Sequence, residues 1–235
     1  MTTPPPEHGS SVRALLSAVD QDRQALLNLG LSVMGNGGDP FFPVDLLVFG
    51  ALKRSVSTAA AMVMMVEARN MVCARTLLRT HIDTSLRFSA AWLVEKPHEF
   101  ATEILKGERI DQMKGRDGKK LTDAHLVATH SDDHPWLSDV YANLSGYVHF
   151  SGSHIVDSVN MLEDDGRIQF AVTAEDLNFP DASWVEVLEC FRENTEILAK
   201  YLEGYRLTKS MSPEQLEAAR LAKCHAARTG AGGEG

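Results

Sequence analysis

Cysteine is scarce in this chain: among 235 residues there are three, Cys73, Cys190 and Cys224, far apart and without metal-type spacing. That excludes a disulfide framework and fits reduced thiols in a cytoplasmic protein. Net positive charge is missing too. The formal charge is −9, which argues against a broad footprint for nucleic acid and against a polybasic membrane anchor. The N-terminal "MTTPPPEHGSS" lacks the basic segment and apolar core of a secretory signal, so residues 1–10 read as a disordered leader. Long apolar runs are absent as well. The most apolar region, residues 44–66, is interrupted by Lys53, Arg54, Ser55, Ser57 and Thr58, and so falls short of the roughly 20 apolar residues of a membrane span. A buried helix and no membrane association are expected there. There is no phosphate loop, no G-x-G-x-x-G after a strand, no nucleophile elbow and no H-E-x-x-H. No cofactor is expected.

What the chain does have is helical periodicity over a 44% apolar composition, enough for one substantial core. Apolar positions from Val12 to Val33 recur at helical spacing until "GNGGDPFFP" stops them. A second helix spans 44–66, and a third restarts near Asn70 and runs to about Glu95. Shorter helices are expected over 97–113 and 122–129, and another from Pro135 to His149, with Asp132 or Asp133 ahead of it as a cap. "HIVDSVNML" and "RIQFAVT" are β-branched and flank the turn signal "EDDG", which predicts a hairpin. "SWVEVLECFRENTEILAKYLEGY" opens with Ser183 and Glu186 at capping-box spacing, and Ser212, Pro213 and Gln215 open a last helix before a glycine-rich tail. The expected fold is mainly α, a helical bundle with one small β-hairpin. Residues 11–206 form its single domain, and 207–235 supply a C-terminal helix and disordered tail.

The chemistry-bearing residues fall in two places. On a wheel of residues 71–93, Arg75 lies inside the apolar arc, Arg79 and Asp83 form an i, i+4 pair at its edge, and His81 sits on the opposite border. A cation within an apolar face has to be paired or hydrogen-bonded. The two readings are helix-to-helix struts, or donors that hold a phosphate or carboxylate. The second place is the Pro135–His149 helix, where Tyr141, Ser145 and His149 share a side, Asn143 stands near, and His154 follows the break at Gly152. His149 is either a helix-end histidine or a general acid or base. His149 with His154 is the best pair for a metal, yet it lacks a placed third ligand, and no metal site is assigned. The stretch "KGERIDQMKGRDGKK" carries six cations against three anions and reads as a solvated loop.

"LLRTHIDTSLRF", with Arg79 and Asp83, and "YANLSGYVHFS", with Ser145 and His149, resemble the "R-x-x-x-[DE]" line and the "[LS]-S-x-x-x-H" segment of HEPN-like helical families. The resemblance covers residues 45–155. Many members look like metal-independent ribonucleases in which an Arg and a His on one helix act on the RNA phosphodiester, often across a dimer interface. It implies His149 as the catalytic histidine, with Arg79, Asp83 and Ser145 around it. The motif arginine would fall at Ala142, Asn143 or Leu144, and none of these is Arg. The first expectation is therefore a self-associating binding or regulatory module whose Arg75, Arg79, Asp83, Ser145 and His149 form a polar seam or small-ligand pocket, with Arg75, Tyr141, Asn143 and His154 as the residues that touch a small anionic ligand or RNA. The alternatives are a toxin-like ribonuclease and a histidine-ligated metalloprotein. A homodimer is expected.

Overall fold

The computed structural model describes residues 7–35, 40–164, 166–212 and 214–219. Most of the expected leader (residues 1–6), Pro213, Cys224 and the tail from residue 220 lie outside them. The described residues form a helical bundle with one two-stranded antiparallel hairpin. Its elements are α1 (Ser10–Met34), α2 (Pro43–Glu67), α3 (Met71–Ser89), α4 (Pro97–Leu105), α5 (Asp123–Ser131), α6 (Trp136–Val148), α7 (Gly152–Asp157), β1 (Val159–Leu162), β2 (Ile168–Phe170) and α8 (Asp181–Lys209). Residues 214–219 are helical as well.

α1 and α8 run parallel. Gly9 N donates to Asp181, Arg192 pairs with Asp22, and Lys209 donates to the Val33 carbonyl, in the same order along both helices. α3 lies between α2, α8 and α6. The core has two parts. One is built around Met62, Met71, Leu78, Ile82, Trp184, Leu188 and Phe191, and the other around Leu26, Val48, Leu52, Phe88, Leu198 and Leu202. Each such side chain contributes about 1.5–3 kcal/mol when fully withdrawn from water. By length and hydropathy α2 meets the size of a membrane span, contrary to the expectation from its composition. Its Val44, Val48, Met62 and Val66 are nevertheless buried in the bundle, and Lys53 and Arg54 stand exposed at its middle.

Several boundaries differ from the sequence reading, each for a local reason. α3 starts where expected, because the Asn70 side chain accepts from Cys73 N, but it ends at Ser89 and tightens into a 3₁₀ turn, Ala90–Trp92. The turn before α3 puts Arg69 in the left-handed region (φ 53°), and Asp176 holds it there. Asp176 N donates to the Arg69 carbonyl (2.7 Å) while its carboxylate accepts from Met71 N (2.7 Å) and Val72 N (3.4 Å). The helix over 97–113 stops at Leu105, and a separate 3₁₀ turn covers Ile110–Gln112. α6 has Pro135 at its N-cap with no side-chain cap, so neither Asp132 nor Asp133 serves there. Residues 154–157, expected as strand, are helical. Ser151 accepts from the α7 backbone and its own N–H donates to His154 Nδ1 (3.4 Å), a capping box in which histidine takes the usual carboxylate's place. Gly152 therefore begins a helix instead of breaking one. Gly146 allows the chain to fold back, since a Cβ there would stand 3.0 Å from Ser151 Oγ and 3.1 Å from Ser153 Oγ. α8 begins at Asp181 after Pro180, so Ser183 lies inside it, and it continues past Arg206 to Lys209.

Candidate ligand cleft between α3, α6 and α8

α3 and α6 pack antiparallel, with Arg75 opposite Tyr147 and Asp83 opposite Tyr141. At the Tyr141 end the seam is closed. Arg79 pairs with Asp83, its guanidinium lies 3.5 Å over the Tyr141 ring centroid, and the Tyr141 hydroxyl donates to Asp83 Oδ1 (3.1 Å). Arg79 is 9% exposed, and its Nε makes no hydrogen bond among the described residues. Stacking on an aromatic face suits a flat, weakly hydrated cation. Burial, and next the Asp83 charge, push the Tyr141 phenol well above its ordinary range, so it remains a donor and is no base near neutrality. These three side chains engage one another and present little to a ligand.

The proposed catalytic set is not assembled. Ser145 donates its hydroxyl to the Tyr141 carbonyl one turn back (2.9 Å), a bond that occupies its proton within the helix. His149 is the C-cap of α6 and is exposed; its imidazole makes no hydrogen bond to a described residue. Arg79 stacks on Tyr141, eight residues before His149, which places its guanidinium about 12 Å along the helix from that histidine at ~1.5 Å per residue. One phosphate group does not bridge that gap. His154 is occupied by its own cap and stacks on Phe150 (centroids 5.7 Å apart). Among the described residues no group of three His, Cys, Asp or Glu side chains is arranged to hold a metal ion.

The opposite end of the seam is open. Arg75 Nη1 donates to the Tyr147 hydroxyl, and the guanidinium carbon sits 4.7 Å from the Tyr147 ring centroid and 4.9 Å from that of Phe179. No carboxylate among the described residues pairs with it within ion-pair distance, whereas Arg79, Arg87 and Arg192 each pair with an aspartate. Arg75 lines a cavity of about 290 Å³ with Asn143, Leu144 and Tyr147 of α6, Ser153 of α7, and Glu186 and Cys190 of α8. That volume is at the small end of ligand pockets. Burial raises the Tyr147 phenol; Arg75 counters the rise, while the neighbouring Asp157 adds to it. The Cys190 thiol is pushed up to about 11, first by burial and then by Glu186, Glu193 and Glu189. It stays protonated and is a poor nucleophile.

Of the residues singled out from sequence, the cleft therefore gathers Arg75 and Asn143. Tyr141, Arg79 and Asp83 close its far end, and His149 and His154 lie beyond it. Sequence reasoning missed Tyr147, Glu186, Cys190 and Phe179. Tyr147 follows Asn143 by one turn and could have been read from that spacing. Glu186 was hidden by its reading as a capping partner of Ser183; with the helix starting at Asp181 its carboxylate has no such role. No protein-family model, no curated protein and no solved structure matches this chain.

Proposed function

We propose that this chain is a HEPN-like, cytoplasmic binding or regulatory module that associates with itself and holds a small anionic ligand at Arg75. The observation that carries the reading is the state of that guanidinium: flanked by two aromatic rings, without a described carboxylate within ion-pair distance, and lining a cavity. Asp176 and Asp157 stand nearby but outside ion-pair distance of Arg75, and a half-buried cation with no direct carboxylate contact favours an anion that enters. Self-association is supported by exposed apolar side chains close together in sequence, Phe150 (86% exposed), Val156, Leu162, Ile168, Phe170 and Val172, since apolar patches of this kind mark interaction surfaces.

A thermal-shift titration with inorganic phosphate, sulfate and butyrate tests the binding reading. At least one anion should raise the Tm of the wild type by a few degrees at saturation, because ligand bound about tenfold above Kd adds about 1.4 kcal/mol and each kcal/mol moves Tm by about 2–4 °C at this size. Arg75→Met should abolish the shift. Equal shifts in both proteins would remove Arg75 from the site.

The toxin-like ribonuclease is the second reading, favoured by the open imidazole of His149. Incubation of wild type and His149→Ala with labelled single-stranded RNA and tRNA, chelator present, separates the two. Neither protein is expected to cleave. Cleavage lost only in His149→Ala would overturn the binding module in favour of a metal-independent nuclease.

A further inference from the structure

The cavity that Arg75 lines is also lined by Glu186. Glu186 is exposed at the second turn of α8 and, like Arg75, forms no ion pair with any described residue. The two lie on different helices, face one cavity of about 290 Å³, and are too far apart to pair with each other. Glu186 shares its unpaired state with Glu189, Glu193 and Glu196 of the same helix, exposed and without an ion pair among the described residues, but of these four only Glu186 lines the cavity. Leu78, Val140, Leu144 and Val187 give the same cavity an aliphatic part of its wall.

We infer that the cleft binds a small zwitterion, an aliphatic α-amino acid, whose carboxylate meets Arg75, whose ammonium meets Glu186, and whose side chain lies on the Leu78, Leu144 and Val187 wall. This rests on the reading of the cleft as a ligand site and adds the second charge to it. The chemistry is matched group by group. Arg75 uses Nη1 on the Tyr147 hydroxyl, and its Nε and Nη2 donate to no described residue, leaving the planar edge that suits a carboxylate. Glu186 offers only acceptors, as an ammonium requires. Asn143 and Ser153 at the cavity wall add neutral polar groups that can bond to either end. The cavity is at the small end of ligand pockets, which suits a compact ligand, and the nearby acids disfavour a multiply charged phosphate.

The test is calorimetric titration of the full chain with L-leucine, L-isoleucine and L-valine, beside N-acetyl-L-leucine, which lacks the ammonium, and L-leucinamide, which lacks the carboxylate. At least one free amino acid should bind, and each blocked derivative should bind about tenfold more weakly or less well still, the loss of one charge-assisted contact. Glu186→Gln, at an exposed position that leaves the core untouched, should weaken the free amino acid by a similar factor and leave N-acetyl-L-leucine unchanged. N-acetyl-L-leucine binding as tightly as L-leucine, and lost in Arg75→Met, would overturn the zwitterion while keeping an anion site at Arg75. Failure of all five compounds to bind a protein that still shifts with phosphate would likewise overturn the zwitterion alone. Failure with phosphate, sulfate and butyrate as well would overturn both.

Discussion

Replacing Asp45 with alanine should cost this bundle about 3–5 kcal/mol, the range for removing one partner of a buried ion pair. Asp45 is fully buried near the start of α2. Its carboxylate accepts from Phe42 N (2.7 Å), from the Tyr205 hydroxyl (3.0 Å) and from Lys209 Nζ (3.0 Å to each oxygen). Lys209 also donates to the Val33 carbonyl, so one carboxylate ties together the end of α1, the start of α2 and the end of α8. The truncation leaves an ammonium 8% exposed with a single carbonyl partner, strips the α2 cap, and abandons a buried phenol. Burial, and then its bond to Asp45, hold that Tyr205 phenol protonated.

Urea unfolding of the single variants Asp45→Ala and Lys209→Met and of the double variant checks this. The double variant should lose markedly less than the sum of the singles, since the second change removes the charge the first one stranded. A loss below about 1 kcal/mol for Asp45→Ala would mean that Lys209 swings into water, and the cluster would then be a surface ion pair of small worth.

Legibility from sequence followed the range of the interactions. Helices whose limits are set within a turn were readable: Asn70 announces α3, and "GNGGDPFFP" marks where α1 must end. α7 was misread because β-branched composition pointed to strand, while Ser151 and His154 close a cap that composition does not show. The hairpin itself was found, starting later, at Val159. Arg75 was rightly singled out as a cation inside an apolar arc that needed a partner, but the partners are the rings of Tyr147 and Phe179, 72 and more positions away. Asp45 drew no notice at all, because its meaning depends on Tyr205 and Lys209, more than 150 residues downstream. His81 was placed on the border of the α3 arc, and α8 covers that border.

His81 should make the fold acid-sensitive, through a ring that has no route to a proton. It is fully buried between α3 and α8, stacked on Phe191 with centroids 4.1 Å apart, and its Nε2 lies 2.9 Å from Thr195 Oγ1. The Thr195 hydroxyl already donates to the Phe191 carbonyl (2.9 Å), so it accepts from Nε2–H. Nδ1 has no partner among the described residues, which a neutral ring tolerates and a protonated one does not. Burial, and then the positive charge of Arg54, lower the His81 pKa to about 3, against about 6.5 in an unfolded chain. The unfolded state therefore takes up the proton first. The neutral ring's stability is fully present above about pH 6.5 and is lost as pH falls toward 3, by about 2 kcal/mol at pH 5 and about 3 kcal/mol at pH 4. His130 works in the same direction, its pKa lowered chiefly by burial where Nε2 meets Ser89 Oγ at 2.7 Å. Unfolding free energies at pH 8, 5 and 4 for wild type and His81→Leu isolate the effect, because carboxylates titrate alike in both proteins. Wild type should lose about 2 kcal/mol more than His81→Leu between pH 8 and 5; parallel curves would show that the ring finds an acceptor for its second proton.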